Sequence, residues 1–214
     1  MKKNMNYKEV TVKWWMMVAV VLITYHLSLI TSSAQSVALK TEGQDPQYVE
    51  TIKGRAQKIV DGLNLTDAQK AENVRNIIAN RYFLLNDIHS KYDKTQQDAC
   101  QAELYRHHFE LQSALSLYLT DEQIDAVKDG MTYGRLKRDY QAQLDMIPTL
   151  TDEEKAQVLI WLKEAREYAM DGGDSKQKHF WFDKYRGRTN NWLSARGYDL
   201  KKERENWQKR INKK

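Results

Sequence analysis

The chain is short of the residues that staple or break a fold. Its 214 residues include one cysteine, Cys100, two prolines, Pro46 and Pro148, and nine glycines. A single thiol excludes an internal disulfide framework, so stability must come from packing. With so few prolines and glycines, the elements are expected to be long and uninterrupted. Cys100 reads as a small buried apolar residue, because no signature around it supplies the basic neighbour and partner histidine that a reactive thiol needs. No phosphate loop, nucleophile elbow or zinc-helix motif occurs.

What is there begins with a basic and then apolar start. Lys2, Lys3, Lys8 and Lys13 precede an apolar run from Trp14 to Ile30, and Ser32-Ser33-Ala34 places small residues where a signal peptidase reads. Residues 1–34 are therefore expected to be a signal peptide, and the protein to work in the periplasm, outside the cell or at its surface. The run is 17 residues, at the lower limit for crossing a bilayer, so an uncleaved anchor is the alternative. Thr24, His26 and Ser28 within the run speak against it. With the signal cleaved, no stable membrane insertion is expected, since 29% of the residues are charged.

Cleavage would remove four lysines and one glutamate and so lower the formal charge from +5 to +2. A surplus this small attracts phosphate weakly, and with export it argues against a nucleic-acid partner. The charge is uneven, because Asp174 to Lys214 hold 13 basic and 5 acidic residues. That basic end either neutralises the acidic body, the simpler account, or meets an anionic partner.

Residues 35–45 are polar and are expected to form an extended, flexible linker to a helical domain over 46–214. Val49, Ile52, Ala56, Ile59, Val60 and Leu63 follow helical spacing from Pro46, which predicts a helix over Pro46–Asp61. Leu65-Thr66-Asp67-Ala68-Gln69, Leu119-Thr120-Asp121-Glu122-Gln123 and Leu150-Thr151-Asp152-Glu153-Glu154 repeat one pattern of leucine, capping threonine, acid and a closing Gln or Glu. Each predicts a helix start. Further helices are expected over Asp67–Tyr92, Thr95–Tyr118, Leu119–Lys128, Lys137–Met146 and Asp152–Met170, with Tyr105 and His108 on a buried face. Asp129 to Gly134 is expected to be a short irregular or extended Gly-rich piece. The fold class is all-α, a single-domain bundle of about six to seven helices with a long helix near the C-terminus.

That long helix, Asp174 to about Arg196, lies in the stretch richest in planar and hydrogen-bonding side chains. Asp174 and Gln177 predict its start, and Gly197 its left-handed stop. Phe182, Tyr185, Thr189 and Leu193 should line the buried face. Trp181, Arg188 and Trp192 form a neighbouring stripe, with Arg186, Asn190 and Asn191 further round. Periodicity does not choose between the stripes. Asp171, Asp174, Asp183 and Asp199 around His179 leave an acid and base pair open. Glu103, His107, His108 and Glu110 share a helix, but two ligands on one helix do not complete a metal site, and no metal or other cofactor is expected.

Lys128-Asp-Gly-Met-Thr-Tyr133, Leu144-Asp-Met-Ile-Pro148, Trp161-Leu-Lys-Glu-Ala-Arg166 and Tyr185-Arg-Gly-Arg-Thr-Asn-Asn-Trp-Leu through Arg196-Gly-Tyr-Asp-Leu200 resemble a family of secreted bacterial proteins of unassigned function. That family is associated with sugar binding and with polysaccharide-degrading systems of Gram-negative bacteria. The resemblance covers nearly all of the chain beyond the export segment and implies a carbohydrate-binding accessory of polysaccharide utilisation. It supplies no catalytic residues. Stacking rings and fixed planar donors suit sugar faces and hydroxyl pairs, and the expected ligand-binding residues are Tyr133, His179, Trp181, Arg188, Asn191, Trp192 and Tyr198. A second resemblance, carried by Leu-Thr-x-x-Gln at Leu65 and Leu119, is to small helical periplasmic chaperones, although helix capping alone explains the motif. A polysaccharide-processing enzyme is the third reading.

Overall fold

The computed structural model describes residues 36–212, so the expected signal peptide lies outside the described residues. The segment from Val37 onward is one compact unit. Among the described residues it holds nine helices and no strand: α1 (Pro46–Asp61), α2 (Ala68–Lys91), α3 (Gln97–His107), α4 (Glu110–Leu115), α5 (Asp121–Met131), α6 (Arg135–Met146), α7 (Asp152–Met170), α8 (Ser175–Ala195) and α9 (Leu200–Ile211). The all-α class is as expected, with more pieces than six or seven.

The helix starts follow from their caps. Thr120 and Thr151 each accept a hydrogen bond from the backbone of the residue three on, while Gln123 and Glu154 return the bond to the cap, as the Leu-Thr pattern implies. At the first such site the cap is Asp67 and not Thr66. Its carboxylate accepts from Lys70 N, and Gln69 turns instead toward Asn73. Asp174 accepts from Gln177 N, whose own side chain accepts from Gly173 N, one residue earlier than a closed box requires. At the other end of α8, Gly197 (φ +96°) turns left-handed. Its N–H reaches Ser194 O, and Tyr198 N reaches Leu193 O at 3.2 Å, the paired closure that lets the chain leave the helix sharply.

Two expected elements differ. The helix over Thr95–Tyr118 is broken at His108–Phe109. Arg81 NH1 donates to His107 O, which draws that carbonyl into a contact with α2, and His108 bonds Asp171. The break leaves Tyr105 70% exposed, not buried. The irregular piece near 129–134 is narrower than expected and is not extended, because α5 continues through Gly130 to Met131. Gly130 serves close packing there, since a Cβ on it would stand 2.9 Å from Ile59 of α1. Only then do Tyr133 (φ +60°) and Gly134 (φ +62°) turn left-handed into α6.

Residues 37–41 are extended and lead into a turn at 42–44, and they are fastened. Asn73 Oδ1 accepts from Val37 N, Asn76 Nδ2 donates to Val37 O, and Asn80 brackets the segment by accepting from Lys40 N and donating to Ala38 O. The linker is thus tied along α2 rather than swinging free.

One apolar core gathers α1, α2, α4 and α5 around Ile52, Val74, Ile78, Leu115 and Val127. A second joins α6, α7 and α8 around Val158, Leu162, Ala165 and Phe182. A smaller cluster of Met146, Ile147, Leu150 and Leu193 receives Leu200 and Trp207 at the base of α9. Complete burial of side chains such as Phe182 and Leu193 stabilises by about 1.5–3 kcal/mol each. Ion pairs made by two buried arginines join the two larger cores. Arg166 of α7 reaches Asp125 and Asp129 of α5 at 2.5 and 2.6 Å, and Arg81 of α2 reaches Asp171 at 2.6 Å.

Candidate functional site

Helix α8 presents three stripes. The inner one is as expected, with Phe182, Tyr185, Thr189 and Leu193 all buried. The Trp181 stripe is laid against α7. Trp181 stacks on Tyr168 at 4.6 Å and 20°, and Trp192 meets Trp161 edge to face at 5.1 Å. Arg188 lies 4.7 Å over the Trp161 ring and 3.3 Å from Glu164. These side chains form a ladder between two helices, with Trp161 buried, Trp181 and Trp192 half-buried, and Tyr168 and Arg188 exposed at its outer edge.

The other expected residues are scattered. Tyr133 and His179 are neighbours, with ring centroids 5.6 Å apart. His179 Nδ1 accepts from Arg135 NH1 at 3.0 Å, which places the ring proton on Nε2. Tyr198 donates to Glu154 Oε2 and Thr149 O. Asn191 is exposed. No single hollow collects the seven. Of the four aspartates considered as acid or base, Asp174 and Asp199 cap α8 and α9, Asp183 pairs with Arg135 and Arg186, and Asp171 pairs with Arg81.

Arg186 and Asn190 of the third stripe, with Thr189 at the edge of the inner one, open on a hollow of about 440 Å³, within the range of small-ligand pockets. Four helices each give it one face: Asp139, Ala142, Gln143 and Met146 from α6, Val158 and Leu162 from α7, these three residues from α8, and Arg204 with Trp207 from α9. Apart from the adjacent pairs Ala142/Gln143 and Thr189/Asn190, the spacings are three, four or seven residues, so one side of each helix is turned inward. Two buried side-chain atoms on these residues, Gln143 Nε2 and Asn190 Oδ1, have no hydrogen-bond partner among the described residues. One is a donor and the other an acceptor. Leaving such atoms unmet costs about 1–3 kcal/mol each, and Gln143 is only 9% exposed.

The charged groups of the hollow are unequally committed. Asp139 Oδ2 accepts from Arg135 Nε at 3.0 Å and NH2 at 2.8 Å, and Asp139 Oδ1 lies 3.5 Å from Arg138. Arg186 reaches Asp183 at 3.3 Å. Arg204 has no hydrogen-bond or ion-pair partner among the described residues. The frame is braced by Glu154, whose carboxylate takes bonds from Tyr198 OH, Thr151 N and Arg196 Nε. Those bonds, Tyr198's foremost, hold it down to about 2.

A larger hollow of about 560 Å³ lies between residues 37–44, α2 and the α3–α4 stretch. Its polar walls are partly engaged: Asn80 with the extended segment, Arg81 through both terminal nitrogens, Asp87 with Gln44, and His107 with Glu110. Arg81 Nε is a buried donor without a partner among the described residues, whereas the smaller hollow has both an unmet donor and an unmet acceptor on its lining residues.

Behind it lies a buried polar cluster on the end of α7. Asp171 accepts from Arg81 and from His108 Nδ1 at 2.7 Å, and its carbonyl accepts from His89 Nε2. The Asp171 bond raises His108. Cys100 Sγ stands 4.0 Å from His89 Nδ1, a neighbour no local motif announced, and burial raises the thiol. Burial lowers Lys178 to about 8, and its ammonium meets Ala169 O and Met170 O. Among the described residues no group of histidine, cysteine and carboxylate side chains is arranged to hold a metal, and no helix is long and apolar enough to cross a membrane.

The residues of the smaller hollow were partly visible beforehand. Arg186 and Asn190 stood on the stripe left open by periodicity, and Thr189 was assigned to the core it borders. Asp139, Gln143, Arg204 and Trp207 were missed. The signals were there, in Asp139 and Gln143 at i,i+4 and Arg204 and Trp207 at i,i+3 on otherwise polar helices, but nothing in one sequence says that these two faces meet.

Together the fold and this hollow define an all-α protein with a polar-walled cleft among four helices. The chain belongs to the DUF3826 family, described as proteins of unknown function, whose profile matches residues 49–98 and 92–213. No curated protein matches the chain.

Proposed function

We propose that this protein binds carbohydrate in the hollow between α6, α7, α8 and α9, as an exported accessory of polysaccharide use. The observation that carries the reading is the unmet donor Gln143 Nε2 and the unmet acceptor Asn190 Oδ1 on two residues that line one hollow. A hydroxyl group both accepts and donates, so sugar hydroxyls answer both atoms once the two amides turn from the wall into the hollow. Water answers them too, but a sugar ring adds contact with Trp207 and the apolar wall of Ala142, Met146, Val158 and Leu162. The basic start and apolar run of residues 1–34 support export.

A glycan array with the purified protein tests the reading, followed by titration of any hit. Binding is expected, with Trp207→Ala weakening it at least about tenfold through lost ring contact. Array silence, or an unchanged Trp207→Ala affinity, overturns it.

The client-holding reading has one observation in its favour, the exposure of Tyr105, Phe109 and Leu117 on the α3–α4 stretch. It predicts suppression of client aggregation at stoichiometric amounts, and light scattering that is unchanged by the protein removes it.

A further inference from the structure

Resting on that proposed site, we infer that the sugar it takes is acidic, a uronate whose carboxylate pairs with Arg204 while its hydroxyls meet Gln143 and Asn190. Three charged residues line the hollow: Asp139, Arg186 and Arg204. Asp139 is the one carboxylate among them, and Arg135 and Arg138 already answer it from the protein side. Arg186 shares Asp183 with Arg135. Arg204, an exposed side chain, alone has no answering anion among the described residues, and it stands on the same face of α9 as Trp207.

A guanidinium presents a planar fork matched to a carboxylate, and a carboxylate on a pyranose lies beside the ring that an indole would contact. A neutral sugar would use the amides and the indole and leave the fork unused. The basic end of the chain thus has a local role at one residue, beyond offsetting the acidic body.

Esterification provides the control, because a methyl ester keeps the sugar and removes the charge. Titration calorimetry would compare galacturonate and glucuronate oligosaccharides with their methyl esters. The free acid of at least one is expected to bind about tenfold or more tightly than its ester. The difference should shrink as salt is raised. Arg204→Gln is expected to bring the acid to the ester's affinity while leaving the ester within about twofold of wild type. Circular dichroism of the variant checks that α9 is retained. Equal binding of acid and ester by the wild-type protein overturns this inference and leaves the carbohydrate reading standing, as does an acid preference that survives Arg204→Gln. Absence of binding to acids, esters and neutral oligosaccharides alike overturns both.

Discussion

Glu154 shows how much one side chain can hold together. It closes the capping box of α7, and it takes Arg196 and Tyr198 from the end of α8 while only 4% exposed. Glu154→Ala would remove the acceptor shared by three donors, two of which keep another partner, Thr149 O or Glu153, and is expected to cost about 1–3 kcal/mol in denaturant unfolding. The carboxyl is held at about 2, below its ordinary 4.5. Its contribution is therefore present above 4.5 and lost as pH falls from there toward 2. Glu154→Gln should be less stable than wild type at neutral pH, and the gap should narrow in acid melts. His108 has the opposite sign. Its proton is held more tightly in the folded state by Asp171, so its contribution is full below 6.5 and fades as pH rises through the elevated value. His108→Asn is expected to lose more stability at about pH 5.5 than at about pH 9.5, and equal losses at both would contradict that assignment.

At the scale of elements, the prediction concerns the joint between the cores. Arg166 is 2% exposed and spans from α7 to Asp125 and Asp129 of α5. Arg166→Ala should destabilise by about 1–3 kcal/mol, read as a shift in the urea midpoint with an unchanged slope. The extended segment offers a gentler test. Asn80→Ala removes both bonds that bracket residues 38–40, and amide exchange at Lys40 is expected to accelerate while that in α7 stays as it was. The ends of elements were the most legible part of the sequence, because caps are local chemistry. Pro46–Asp61 and Asp152–Met170 stand where their caps and periodicity place them. The break at His108 was not legible, since it depends on Arg81, 26 residues away along the chain, and no local signal reports a carbonyl drawn off by another helix.

For the whole molecule, the all-α bundle follows from periodicity and scarce breakers, whereas the candidate site does not. Rings are conspicuous in a sequence, so Trp181 and Trp192 invite a binding role. In the structure they meet Tyr168 and Trp161 and hold α8 to α7. The hollow is instead made by bringing together faces from α6 and α9, which are separated by more than fifty residues and touch only once α7 and α8 are in place. Unmet amides are an assembly property of this kind, because Gln143 and Asn190 read individually as ordinary polar residues. The membership of this chain in a family without an assigned activity leaves that hollow as its most informative feature.

If the two amides are kept for a ligand at a cost to the fold, removing them should separate stability from binding. A paired melt and oligosaccharide titration of Gln143→Leu/Asn190→Leu beside the wild-type protein measures both. The double variant is expected to melt at or above the wild-type temperature, since two unmet buried polar atoms are removed, and to lose about a hundredfold or more in affinity. A double variant that binds the oligosaccharide as tightly as wild type would contradict that role for the amides.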